Sequence, residues 1–152
     1  VHMGPHSAVA LINVQGGEDA RGTCWCNARE ASVVRRIIEG VRRSDRSDSW
    51  RGATGITVLT PYEGQRQLLT SFLGERVEVS SVDAYQGREN DFIILSMTRA
   101  NESGGIGFAK DPRRLNVALT RARRGLIVVG RIDTLCAGDT DGLLTDFITT
   151  CV

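Results

Sequence analysis

Three apolar runs constrain this chain more than any other feature: GITVLT at 55–60, DFIILSM at 91–97 and GLIVVG at 125–130. Each is too short for a membrane span. Each is also apolar at successive positions, so a strand built from it buries both of its faces. Ala8 to Val14 (AVALINV) and Val77 to Val82 read as two further strands. Between them lie segments with helical periodicity. Asn27 is placed to cap a helix whose apolar positions are Ala31, Val34, Ile37, Ile38 and Val41. Gln65, Leu69, Phe72 and Leu73 mark a second helix ending near Gly74, and Leu143, Leu144, Phe147 and Ile148 a last one within 141–152. Strands alternating with amphipathic helices predict an α/β three-layer domain, a mostly parallel sheet covered on both faces.

The 152 residues suit one domain. Residues 1–7 read as a tail, with the HM at 2–3 resembling a cloning scar, and 8–152 as the domain. The segment 44–54 (SDRSDSWRGAT) reads as a polar loop. Net charge is +1, which makes no overall demand for a polyanion. The basic residues are 18 arginines and one lysine, Lys110. Phosphate recognition by the planar guanidinium and codon bias in a GC-rich genome both account for such an excess. Four cysteines and two tail histidines compose no zinc pattern, so free thiols and no metal ligands are expected. With no membrane-length run and no signal-peptide pattern, the expectation is a soluble intracellular protein without a membrane partner.

Ligands on parallel sheets bind beyond the carboxyl ends of the strands, and three segments there carry candidate chemistry. TPYEGQ (60–65) reads either as a capped turn, with Thr60 as N-cap and Pro61 as the first helical residue, or as a helix N-terminus presenting amides to a phosphate. SSVDAYQGREND (80–91) reads either as a polar turn or as a ligand loop. In the second reading Gly87 allows close approach and Glu89 accepts from ribose hydroxyls. DPRRLNVALTRARRG (111–125) reads as a helix capped by Asp111, with Pro112 next and Leu115, Ala118, Leu119 and Ala122 as its buried stripe, and its arginines either as a solvated basic face or as an anion site. Arg114 and Arg121, seven apart, project from one flank, with Asn116 and Arg123 on the other. No acid follows Asp111 at i±3 or i±4 spacing, so these arginines are expected to be unpaired within the helix and to invite a triphosphate.

In their order and spacing, LTPYEGQ, SSVDAYQGREND-FIILS, RAN, GIGF and DPRRLNVALTRAR resemble the second RecA-like domain of superfamily 1 helicases of the up-frameshift type. The resemblance is strongest over 27–130. It implies a 5′-to-3′ ATP-dependent helicase acting on single-stranded RNA or DNA, in nonsense-mediated mRNA decay or related RNA metabolism, in the cytoplasm and also the nucleus. It implies that Arg121 is an arginine finger for the ATP γ-phosphate. Glu89 approaches the ribose, Gln86 and Gly87 shape that loop, and Arg114 and Arg124 support the nucleotide. It assigns nucleic-acid contacts to Thr60, Tyr62, Ser81 and Asp83. GxxxxGK[ST] does not occur in this sequence. ATP and Mg2+ are therefore expected to be held mainly by a first RecA-like domain missing here, and the isolated chain is expected to be inactive. That first domain and decay factors are the implied protein partners. Two other readings stay open: a stand-alone nucleic-acid-binding or scaffold module with a vestigial nucleotide cleft, and a doubly wound phosphate-binding or transferase domain.

Overall fold

The computed structural model describes residues 8–21, 24–44 and 55–151. The tail 1–7 and most of the polar loop, 45–54, lie outside the described residues. In chain order the elements are β1 (Ala8–Asn13), β2 (Asp19–Arg21), β3 (Cys24–Cys26), α1 (Ala28–Ser44), β4 (Ile56–Thr60), α2 (Glu63–Leu73), β5 (Glu78–Ser81), β6 (Asn90–Ser96), α3 (Pro112–Leu119), β7 (Ala122–Gly130), α4 (Ile132–Ala137) and α5 (Leu143–Cys151). A five-stranded sheet runs in the order β1-β7-β6-β4-β5, every pairing parallel, and β2 and β3 form a separate antiparallel hairpin.

The period-two alternation of side chains divides the sheet's residues between two cores. Ile93, Leu95, Leu126 and Val128 face one side. They pack with Leu115, Ala118 and Leu119 of α3, Leu135 of α4, and Leu144, Phe147 and Ile148 of α5. Val58, Ile94 and Val129 face the other side, against Ala31, Val34 and Ile38 of α1 and Leu69 of α2. The central strands are apolar throughout because both faces are covered, which is the expected three-layer α/β architecture.

Four local readings need correction. The helix from Asp111 stops at Leu119, and Ala122 is the first residue of β7 rather than the end of the stripe. Pairing with β6 wins there: Asn90 lies in register with Ala122 and its amide donates to the Arg121 carbonyl at 3.1 Å. Thr60 is the last residue of β4 and fully buried, not a helix cap. The cap position of α2 belongs to Tyr62, which makes no side-chain capping bond. Pro61 lies outside the helix. Finally, the β2–β3 hairpin and α4 went unread, being too short to show a period.

Candidate functional site

The carboxyl ends of the strands are tied together by a buried polar network. Asn27 caps α1, its Oδ1 accepting from the Glu30 amide at 3.1 Å. The fully buried Glu30 carboxylate accepts from Ser96 Oγ (2.6 Å), the Thr98 amide (2.9 Å) and Asn27 Nδ2 (3.3 Å). Gln65, also buried, donates to the Asn27 carbonyl (3.2 Å) and Ser96 Oγ (3.0 Å) and accepts from the Asn27 amide (2.7 Å). Thr60 and Thr98 share a hydroxyl bond of 3.1 Å. Burial pushes the Glu30 carboxyl up to about 7, against the lowering effect of its Ser96 and Thr98 bonds and with a small further push from Glu18. Thr98 holds φ at 72°, an uncommon conformation for a β-branched residue.

Beside this network a clamp fixes the chain after β6. Arg99 meets Glu18 through two bonds, at 2.8 and 3.0 Å, and stacks on Trp25 with its guanidinium carbon 4.4 Å from the ring centre. Glu18 also accepts from the Ala100 amide (2.6 Å) and from Asn101 Nδ2 (3.2 and 3.3 Å). Burial acts to raise the Glu18 carboxyl, but the Arg99, Ala100 and Asn101 hydrogen bonds outweigh it and hold it below the usual range. Asn101 then brackets Gly105, donating to its carbonyl (3.0 Å) and accepting from its amide (2.9 Å).

The residues singled out from sequence fall into two groups. Thr60, Tyr62 and Ser81 lie at or just past the carboxyl ends of β4 and β5. The Thr60 hydroxyl is buried on Thr98, and the Tyr62 hydroxyl accepts from the Phe108 amide at 3.1 Å. Ser81 Oγ accepts from the Ala84 amide at 3.1 Å. Asp83 follows and pairs with Arg114 through two bonds, one from Nε at 2.9 Å. An open cleft is lined by Val82, Asp83, Gln86, Arg113, Arg114 and Val117.

The second group lies elsewhere than expected. The exposed Gln86, Gly87 and Glu89 lead into the first residue of β6, and Arg121 directly precedes the first residue of β7. Glu89 and Arg121 therefore flank the amino ends of these strands, not the carboxyl ends. The segment 82–89 runs from the carboxyl ends of the strands to the amino ends, and α3 makes the same crossing before β7. Gly87 takes φ 80°, which a tight turn requires of glycine.

The expectation of unpaired arginines is corrected at three positions. Arg114 pairs with Asp83, while Arg123 and Arg124 approach Asp91 at 3.2 and 4.0 Å. Their acids come from neighbouring strands and loops, which i±4 spacing cannot reveal. Arg121 differs: Nε donates to the Val117 carbonyl (2.9 Å), one terminal nitrogen to Thr120 Oγ1 (3.0 Å) and the other to the Arg88 carbonyl (3.4 Å). All three acceptors are neutral. Among the described residues Arg121 forms no ion pair.

Glu18, Glu30 and Arg99 were not read from sequence as site residues. Asn27-x-x-Glu30 matches the spacing of a helix capping pair and offered a signal for Glu30; nothing local marked the Glu18–Arg99 pair, 81 residues apart. Among the described residues no cluster of His, Cys, Asp or Glu is arranged to hold a metal ion, and no helix is long and apolar enough to cross a membrane.

The family described as AAA domain matches residues 2–133. With the all-parallel sheet and its two helical layers, this defines the chain as a RecA-like ATPase-type domain. Among curated proteins, the chain is 46% identical to a Regulator of nonsense transcripts 1 homolog of Neurospora crassa, over 87% of this chain and 13% of the relative. It is 45% identical to Regulator of nonsense transcripts 1 of Dictyostelium discoideum, over 86% of the chain and 10% of the relative. It is 46% identical to ATP-dependent helicase NAM7 of Saccharomyces cerevisiae, over 73% and 12%. The chain belongs to this family, as a C-terminal helicase domain of the regulator-of-nonsense-transcripts type. It spans about an eighth or less of the length of these relatives.

Proposed function

We propose that the chain is the C-terminal motor lobe of an ATP-dependent 5′-to-3′ helicase that grips single-stranded RNA or DNA, acting in nonsense-mediated mRNA decay or related RNA metabolism in the cytoplasm and nucleus. The observation that carries this reading is Arg121. Its guanidinium is oriented by three neutral acceptors and forms no ion pair among the described residues. An anion from outside completes such a group. Two relatives are named ATP-dependent helicases, which makes the triphosphate of ATP the fitting anion.

ATP with Mg2+ supplies the phosphoryl group and its counter-charge. The residues here that fit it are peripheral: Arg121 toward the γ-phosphate, the exposed Glu89 toward the ribose, Gln86 and Gly87 beside it, and Arg124 as nearby positive charge; Arg114, which the resemblance also gives to the nucleotide, is bonded to Asp83 instead. The lone Lys110 is not part of a phosphate loop. The phosphate cradle and the metal ligands are therefore assigned to a first RecA-like domain. Closure of the two lobes brings Arg121 to the phosphoryl oxygens, where it opposes charge developing during transfer.

The strand side is the opposite edge. Tyr62 lies there half-buried, with Ser81 and Asp83 beside it, while Thr60 is fully buried, backbone included, and supports the turn without a direct contact. Such contacts follow the sugar-phosphate chain rather than base edges. The test is phosphate release with saturating single-stranded RNA. The chain alone should give none above background, and mixing it with its first lobe should restore turnover that Arg121→Ala abolishes. Turnover by the isolated chain overturns the half-site reading.

A further inference from the structure

The amino ends of the strands hold a polar cluster with no role in the reading above. Thr57, the second residue of β4, is fully buried, and its hydroxyl meets three side chains. Asn90, the first residue of β6, donates from Nδ2 to Thr57 Oγ1 at 3.0 Å. Thr57 Oγ1 donates to Glu78 Oε2 at 3.3 Å, and the hydroxyl of the buried Tyr85 lies 3.3 Å away. A hydroxyl has a single proton, and Glu78 takes it, so Tyr85 is the donor to Thr57. Arg88 covers the Tyr85 ring, its guanidinium carbon 4.5 Å from the ring centre, and meets Glu78 at 2.8 and 3.1 Å. The Arg88 and Glu78 side chains are 53% and 41% exposed, so water weakens that pair, and the buried Thr57 hydroxyl is the firmer anchor.

This cluster leads directly to Arg121. The Arg88 carbonyl accepts from the Arg121 guanidinium at 3.4 Å, and the Asn90 amide donates to the Arg121 carbonyl at 3.1 Å. The two residues whose side chains join the Thr57 cluster are thus the two whose backbones hold Arg121. Glu89 stands between them, exposed. The pairing of β6 with β7 is also irregular here. Asn90 lies opposite Ala122 but Phe92 opposite Gly125, so β7 carries one extra residue just after Arg121. Such a bulge interrupts the ladder and re-aims the side chains beside it. Asn90 steadies it with the other end of its amide, Oδ1 accepting from the Asp91 amide at 2.8 Å.

We propose that Asn90, locked onto Thr57, is a positioning residue that aims Arg121. This rests on the assignment of Arg121 to the γ-phosphate. Asn90 and Thr57 act only through the backbone at 88–90. Without the Asn90–Thr57 bond that segment loosens, and Arg121 loses the backbone partners that lie outside its own helix and turn. Its bond to the Val117 carbonyl remains, so the guanidinium stays nearby but is held less closely in one direction. A group that acts on the transition state then costs kcat and leaves KM nearly unchanged.

The experiment starts from Thr57→Val, which deletes the hydroxyl and keeps the shape. In the 15N-labelled chain, hydrogen exchange at the Asn90 amide should quicken by about tenfold while the Val128 amide, inside β7, keeps its rate. In a protein carrying both lobes, strand-stimulated ATP hydrolysis should lose about tenfold in kcat, less than the ~100-fold that a full misplacement costs, with KM for ATP within about twofold. Thr57→Ser, which returns the hydroxyl, should restore both readings. In an Arg121→Ala background the valine should cost no more than about twofold further, because no guanidinium is left to aim. Should Thr57→Val not fold, Asn90→Ala at its half-buried position gives the same readings. Unchanged exchange at the amide of position 90 in whichever variant is folded overturns the positioning, and so does an equal loss of kcat in the Arg121→Ala background, which assigns the loss to stability. Full turnover by Arg121→Ala alone overturns the γ-phosphate reading and the positioning with it.

Discussion

The Arg121 guanidinium donates from Nε to the carbonyl of Val117, 2.9 Å away, and so closes the last turn of α3 with a charge that has no acidic partner among the described residues. Helix C-termini carry free carbonyls and a partial negative charge, which a cation satisfies locally. The same bond fixes the direction in which the rest of the guanidinium points. In the proposed role as an arginine finger, Arg121 is ordered before its ligand arrives by the end of its own helix.

Arg121→Ala is expected to cost turnover far more than stability. In a two-lobe protein, strand-stimulated ATP hydrolysis should fall by about 10³-fold or more, the worth of such fingers elsewhere. The melting temperature should move only slightly, since the lost bonds are partly exposed. Arg121→Lys keeps the charge without the planar fork and should recover little of the rate. Phosphate-release kinetics alongside thermal denaturation separate the two effects. A large loss of stability with unchanged turnover would show that the residue is a helix cap and nothing more.

Asp111, Pro112 and the apolar stripe 115–119 were legible because they are local. The cap accepts from the amides of Arg113 and Arg114 as its sequence position implies. The end of α3 was not legible. Ala122 continues the helical stripe as well as it begins a strand, and only pairing with Asn90 decides between them. The arginines were misread for a related reason. Asp83 and Asp91 are remote in sequence from Arg114, Arg123 and Arg124, and only the parallel sheet brings them together. The placement of Arg121 at the amino ends follows from the same shortened helix. Thr60, Tyr62 and Ser81 fall at or just past strand ends, as the apolar runs before them imply, but sequence does not show that hydroxyls there are already spent on Thr98, Phe108 and Ala84.

Stability should fall as pH rises from about 4.5 to about 7, and Glu30 is the cause. Its carboxyl sits at about 7 in the fold against an ordinary value of 4.5, so between those limits the native state binds more protons than the unfolded one. The stabilising effect is complete below the lower limit and gone above the upper. Glu18 acts in a separate window. Its carboxyl is held below 4.5, so its contribution is present above that pH and is lost as pH falls further. Chemical denaturation at a series of pH values should show the first slope, and Glu30→Gln should flatten it. A slope unchanged in that variant would assign the effect to another group.

Glu18→Ala should destabilise the fold by about 3–5 kcal/mol, the usual cost of removing one partner from a buried ion pair. The side chains of Glu18 and Arg99 are only 8% and 13% exposed, and Trp25 covers the guanidinium. The contrast is Glu63 and Arg66, an exposed i,i+3 pair at 2.6 Å, for which Glu63→Ala should cost under about 1 kcal/mol. Urea melts of the two variants test the ranking. Equal costs would mean that water reaches the Arg99 pair as freely as it reaches the surface.

Thr98 offers the sharpest separation of strain from contact. At φ 72° a threonine costs of order 1–3 kcal/mol relative to an unstrained backbone, and the Glu30 carboxylate and the Thr60 hydroxyl hold it there. Thr98→Gly removes the strain together with the hydroxyl bond, so the two effects offset and its melt should lie close to wild type. Thr98→Val loses the same hydroxyl bond to Thr60 but keeps the strain, so it should lose about 1–3 kcal/mol. Urea denaturation of both variants decides. A valine variant as stable as the glycine one would mean that the backbone conformation carries no cost, since both variants lose the Thr60 bond.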